Sequence, residues 1–200
     1  MSSSAGSETR AARYDRVAVA LHWFIALALL GQITFGFLLD DIAPRGTPAR
    51  TGVINLHKSF GMVLGALIVL RLAWRLTHRP LPLPASLPRW QWRAAIASHR
   101  LLYACMVTMP LSGYVASNFS RRGVVFFGRP LAPWGPDIPQ VYSLLNGVHV
   151  ATAFVLTALI CVHVAAALKH ALVDRDGVFQ RMAPWPPSRA HPAPGRPAHR

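Results

Sequence analysis

The sequence predicts an all-α integral membrane protein, an up-down four-helix bundle with each helix crossing the bilayer. Three observations predict it. Apolar residues make up 52% of the 200-residue chain and charged residues only 14%, a balance suited to lipid. The apolar residues gather in four blocks, each near the roughly 20 residues that a helix needs to span the hydrocarbon core. The basic residues sit between those blocks, where membrane proteins carry their arginines.

The first block is Val17–Leu39, preceded by the polar "MSSSAGSETRAARYDR". It is too long for a signal-peptide core, and no clear cleavage site follows it. The second block is Val53–Leu76. The third is Ile96–Ser117, with Pro110 expected to kink it. The fourth is Leu144–Val173. "THRPLPLPASLPRWQWR" reads as a Pro-rich connector, and "SRRGVVFFGRPLAPWGPDIPQ" suits a linker along the membrane interface. The domain so defined covers residues 13–183, between a polar tail, 1–12, and a Pro-rich tail, 184–200, that reads as disordered.

A formal charge of +14 would ordinarily suggest nucleic acid. No nucleic-acid motif accompanies it, so membrane lipid phosphate is the expected partner. Orientation follows from the same residues. Arg10 to Arg16, the connector from Arg75 to Arg100, and Lys169 to Arg200 outnumber Arg45, Arg50, Lys58, Arg121, Arg122 and Arg129 on the other side. The larger set is expected in the cytoplasm, with both termini. Cys105 and Cys161 each lie inside an apolar block, which argues against a disulfide framework or a zinc site.

Of the six histidines inside the blocks, four pair by depth. His22 is near the cytoplasmic end of the first, and His57 near the outer end of the second. His149 is near the outer end of the fourth, with His163 fourteen residues further on. That interval is about 21 Å along a helix and returns the side chain to within roughly 40° of the same face. One metal ion cannot bridge such a distance. Two sites stacked across the membrane can use it, with His57 and His149 at the outer level and His22 and His163 at the inner. Opposed neutral imidazoles in an apolar bundle suit the axial positions of haem iron. With no Cys-x-x-Cys-His motif, such haems would be non-covalent.

Arg71, fourteen residues after His57, reaches the inner level as a propionate partner or a snorkelling arginine. Gly61 and Gly65 suit room for a porphyrin or a close helix contact. A metal-ion or proton transporter would want carboxylates within the spans, and all seven acids lie outside them.

The motifs "ALHWF", "NLHKSFGMVLGALIVLRLAWRL", "SHRLLYACMVTMPLSGYV" and "HVATAFVLTALICVHVAAALKH" together resemble the bacterial cytochrome b561 family of di-haem, four-helix membrane cytochromes. The resemblance implies that His22 and His163 bind a cytoplasmic-side haem b, and His57 and His149 a periplasmic-side one. It is closest to the stand-alone members that oxidise superoxide at the periplasmic face and reduce ubiquinone. It thus implies an oxidoreductase of the bacterial inner membrane.

On that reading Arg121, Arg122 and Arg129, with Arg45, Arg50 and Lys58, form a basic rim that steers superoxide inward or anchors lipid phosphate. His99 and His170 match family positions suited to a quinone contact or to a propionate. Lys58 departs from the apolar residue expected beside the ligand. His78, His191 and His199 read as surface histidines. The alternative is a membrane-anchor subunit that takes electrons from a hydrogenase or dehydrogenase partner. Its haem ligation would be the same, so the histidines do not separate the two.

Overall fold

The computed structural model describes residues 13–78, 81–82 and 87–184. The two tails lie almost wholly outside the described residues, as do His191 and His199. The described chain is mostly helical, and four of its helices are long. Helix α1 is Arg16–Phe37, followed by a short turn of helix, α2, at Leu39–Ile42. The other long helices are α3, Ala49–Thr77, α4, Arg89–Asn118, and α5, Pro139–Lys169. Among the described residues, α1, α3 and the helical stretch from Pro139 to Asp174 are long and apolar enough to cross a membrane. Helix α4 is as long but carries Arg93, His99 and Arg100, so its apolar share is lower.

Each helix starts for a local reason. Asp15 caps α1, its carboxylate accepting the Ala18 N–H at 2.8 Å. That hydrogen bond holds the Asp15 carboxyl below its ordinary value of 3.8. The stabilisation is therefore present above the ordinary value, weakens below it, and is gone under the depressed one. Asp15→Ala is expected to cost about 1 kcal/mol, read as a lower Tm in detergent at neutral pH and no difference in strong acid.

Helix α4 begins at Arg89, earlier than the expected Ile96, because Pro88 is the last residue to resist helix and its carbonyl accepts from Trp92 N–H at 3.1 Å. Helix α5 likewise begins early, with Pro139 in the first helical turn, where its missing N–H costs nothing. It passes at His170 into a π-helical turn, His170–Asp174, and stops at Arg175 in the left-handed region, φ 50°.

The linker between α4 and α5 departs from the sequence expectation by forming strands. Val124–Phe126 (β1) pairs antiparallel with Arg129–Leu131 (β2). Phe127 and Gly128 make the turn, both at positive φ (44° and 86°), as a type I′ hairpin requires. Phe127 supplies no turn signal, which is why the hairpin was illegible. It is held onto α3: Phe127 N–H donates to the buried Ser59 hydroxyl at 3.0 Å, and Lys58 Nζ to the Gly123 carbonyl at 2.8 Å. Lys58, the residue out of pattern, thus anchors this hairpin. At the opposite end the chain returns to its start. Tyr14 N–H donates to Arg181 O at 3.2 Å, and Trp23 Nε1 to Met182 O at 2.7 Å.

The closest helix packings are α4 on α5, α1 on α3 and α3 on α4. The core is a cluster of Ile25, Leu29 and Ile33 with Leu64, Ile68, Leu102, Met106 and Leu156. One residue from each long helix in that cluster lies midway along a repeat of seven: Leu29, Leu64, Met106 and Leu156. A seven-residue step returns a side chain to nearly the same face of a supercoiled helix. Seven residues either way therefore lie the side chains that face the two ends of the bundle.

Candidate functional site

That step places His22, Arg71, His99 and His163 at one end of the core, and Gly36, His57, Gly113 and His149 at the other. At the level expected from the sequence to be the outer one, His57 on α3 and His149 on α5 face each other, ring centroids 6.4 Å apart and planes at 86°. At the inner level, His22 on α1 and His163 on α5 stand 6.3 Å apart at 71°. A metal–imidazole bond is about 2.0–2.1 Å, so two imidazoles sharing one ion from opposite sides would have centroids roughly 6.3 Å apart.

The donor set is imidazole alone, in apolar surroundings, which suits haem iron better than a free cation. The helix pairs bearing facing rings, α1 with α5 and α3 with α5, are not among the closest packings. The helices thus stand apart where a flat macrocycle would lie. On donor chemistry, spacing and room the residues fit two haems.

The surroundings fix each ring. His149 Nδ1 donates to the Met109 carbonyl at 2.8 Å, which leaves Nε2 as the nitrogen with a free lone pair. Gly113 makes room for it: a Cβ there would stand 2.9 Å from His149 Nδ1. Gly36 does the same for His57, where a Cβ would stand 3.1 Å from Cε1. Gln32 on α1 donates from Nε2 to the His57 carbonyl at 2.7 Å and sits 3.2 Å from its Nδ1.

At the inner level Arg71 takes the corresponding place. Its Nη2 is 3.2 Å from His22 Nδ1, and its Nη1 donates to Ala18 O at 3.3 Å. A third imidazole, His99, lies 5.4 Å from His163. Gly61 and Gly65 serve helix contacts here, since a Cβ would meet Gln32 at 3.2 Å and Pro110 at 3.1 Å respectively.

Other candidate residues lie apart from this centre. His170 Nδ1 pairs with Asp176 at 2.6 Å and stands 3.4 Å from Asp174. His78 stacks on Trp74 at 3.9 Å in an exposed position. On the outer rim, Arg121 is bound by Asp137 at 2.6 Å and Arg50 by Asp40 at 2.6 Å, so their charges are largely compensated. Arg122 and Arg129 are exposed without an acidic partner among the described residues. Sequence reasoning missed Gln32, Gly36, Met109 and Gly113. For the two glycines a signal existed, since each sits seven residues from a core position. For Gln32 and the Met109 carbonyl none did.

The chain matches the prokaryotic cytochrome b561 family over residues 13–185. It is 25% identical over 173 residues to cytochrome b561 homolog 1 of Escherichia coli (strain K12), covering 86% of this chain and 97% of that protein. It is 28% identical over 178 residues to cytochrome b561 homolog 2 of the same organism, covering 85% of this chain and 90% of that protein. The matched region contains all four long helices and both histidine levels.

Proposed function

The chain belongs to the prokaryotic cytochrome b561 family of membrane electron-transfer cytochromes, and from that premise we propose that it is a four-helix, di-haem cytochrome b that oxidises superoxide and reduces ubiquinone. The observation that carries the di-haem reading is one geometry repeated at two depths, with facing imidazoles 6.3 and 6.4 Å apart. Haem bound there supplies a one-electron redox couple.

The chain's own residues do the rest. His22 and His163 hold the inner group, and His57 and His149 the outer. The Met109 carbonyl keeps His149 in the tautomer that leaves Nε2 free. The buried layer of Leu29, Leu64, Met106 and Leu156 keeps water and ions out between the levels, so that electrons pass and protons do not. Arg71 has further N–H donors for a propionate. His99, beside His163, is better placed than His170 to hydrogen-bond a quinone and hold its incoming proton. His170 is instead tied to Asp176 at 2.6 Å.

The exposed Arg122 and Arg129 support an anionic donor at the outer mouth. Two superoxide anions release two electrons and two molecules of dioxygen; with two protons these electrons convert one ubiquinone to ubiquinol. The protein then sits in the bacterial inner membrane, with the Arg13 and Ala183 end facing the cytoplasm.

The test is stopped-flow haem reduction by superoxide in the purified protein, with quinone present. Reduction should outrun spontaneous dismutation, and replacing both Arg122 and Arg129 by Gln should slow it about tenfold and flatten its salt dependence. Arg121→Gln, already neutralised by Asp137, should do less. Haem reduction no faster than the dismutation background would remove superoxide as donor and favour a redox subunit in its place.

A further inference from the structure

The two levels are built alike except for one charge. On each level the ligand outside α5 has a side-chain N–H group against its Nδ1, and the distance is 3.2 Å in both cases. At the outer level that group is the neutral amide of Gln32, and at the inner level the guanidinium of Arg71. Each is also tied to backbone, Gln32 to the His57 carbonyl and Arg71 to the Ala18 carbonyl. Neither group is free to swing away at no cost. The α5 ligands add a second difference in the same direction. His149 donates to a carbonyl, whose negative end faces the ring, while His163 has no hydrogen-bond partner among the described residues.

We propose that this Gln32–Arg71 difference sets the direction of electron flow, by making the inner haem the stronger electron acceptor of the two. The inference rests on the di-haem reading above. Ferric haem carries one more positive charge than ferrous haem. A permanent cation against an axial ligand therefore disfavours the oxidised form and raises the reduction potential. A carbonyl accepting from the other ligand's Nδ1–H has the opposite effect, since it makes the imidazole a stronger donor to the ferric ion.

With Nε2 of His22 on iron, the ring's remaining proton would sit on Nδ1, where Arg71 has no acceptor for it and acts through its charge alone. At His57 the Gln32 amide can turn its oxygen to the corresponding proton, and it adds no charge. A competing cation at the outer level is Lys58, the residue next to His57. Its half-buried ammonium donates to the Gly123 carbonyl on the hairpin at 2.8 Å, not to the His57 ring. Arg71 is a positioning residue in this account, acting on the haem through the ligand beside it. Electrons arriving at the outer level would then move downhill toward the inner end.

The experiment is a spectroscopic redox titration of the full-length protein with its haems bound. A His57→Ala background keeps the inner haem alone, so that its potential is read without overlap. There Arg71→Gln should lower the inner potential by about 60 mV or more, a tenfold shift in the one-electron equilibrium, whereas Arg71→Lys should hold it near the parent value. In a His163→Ala background, which keeps the outer haem alone, Gln32→Lys should raise the outer potential.

An unchanged inner potential in Arg71→Gln overturns the proposal, as does a parent protein whose inner haem has the lower potential. If Arg71→Gln sheds its haem, the Gln32→Lys arm decides: a raised outer potential supports the charge rule and an unchanged one overturns it. A purified parent protein without b-type absorption would instead overturn the di-haem reading itself.

Discussion

A His163→Ala variant is expected to insert normally and bind one haem instead of two, keeping the outer one. His163 is one of a facing pair whose centroids stand 6.3 Å apart, and among the described residues no other imidazole is paired face to face with His22. His99 is near, but its contact is with the His163 ring. Even outer-shell partners of metal ligands cost 10–100-fold in affinity when removed, so deletion of a ligand should empty the site at ordinary haem concentrations.

The outer pair should not notice. It lies about 21 Å away along α5, beyond the closed layer of Leu29, Leu64, Met106 and Leu156. His57→Ala should show the converse, loss of the outer haem with the inner one kept. The measurement is haem per protein by pyridine haemochrome, with the reduced spectrum of what remains. Loss of both haems from either variant, or of neither, would contradict two independent sites.

The second large effect comes from a residue that binds nothing. Gly113→Val is expected to weaken the outer haem at least tenfold while leaving the inner one in place. A Cβ at this position would stand 2.9 Å from His149 Nδ1 and 3.0 Å from Cε1. The ring cannot retreat without losing its 2.8 Å hydrogen bond to Met109, so tautomer and orientation are lost together.

Gly113→Ala separates this from any helix effect. In a helix interior Ala is about 1 kcal/mol better than Gly, so α4 itself gains while the outer site loses. Gly36→Ala should act similarly but more weakly, at 3.1 Å from His57 Cε1. Gly147→Ala is the control: on α5 near the same level, it has nothing within 4 Å of its Cβ position and should keep both haems.

Much of the fold was legible because a membrane helix needs a long apolar run, and runs are visible in one dimension. The expected first span, Val17–Leu39, lies within two residues of α1 at each end. The later spans were drawn short where their ends are polar. Arg89–Ala95 continues α4 below the apolar block, and Pro139–Ser143 opens α5 above it. Hydropathy sees where lipid begins, and backbone hydrogen bonding does not stop there. The hairpin at Val124–Leu131 was missed because Phe127 gives no turn signal and the pairing is only three residues long.

The sequence by itself determined separations along each helix. Helical rise is constant, so fourteen residues set His149 and His163 about 21 Å apart on nearly one face, and His57 and Arg71 likewise, whatever the helices do sideways. Only the tertiary structure decided who stands beside whom at a given depth. That Gly113 faces His149, that Gln32 and Arg71 occupy matching places on His57 and His22, and that Arg121 is spent on Asp137 are facts about neighbouring helices and loops. They depend on packing order and helix rotation, which the period of a single helix does not contain.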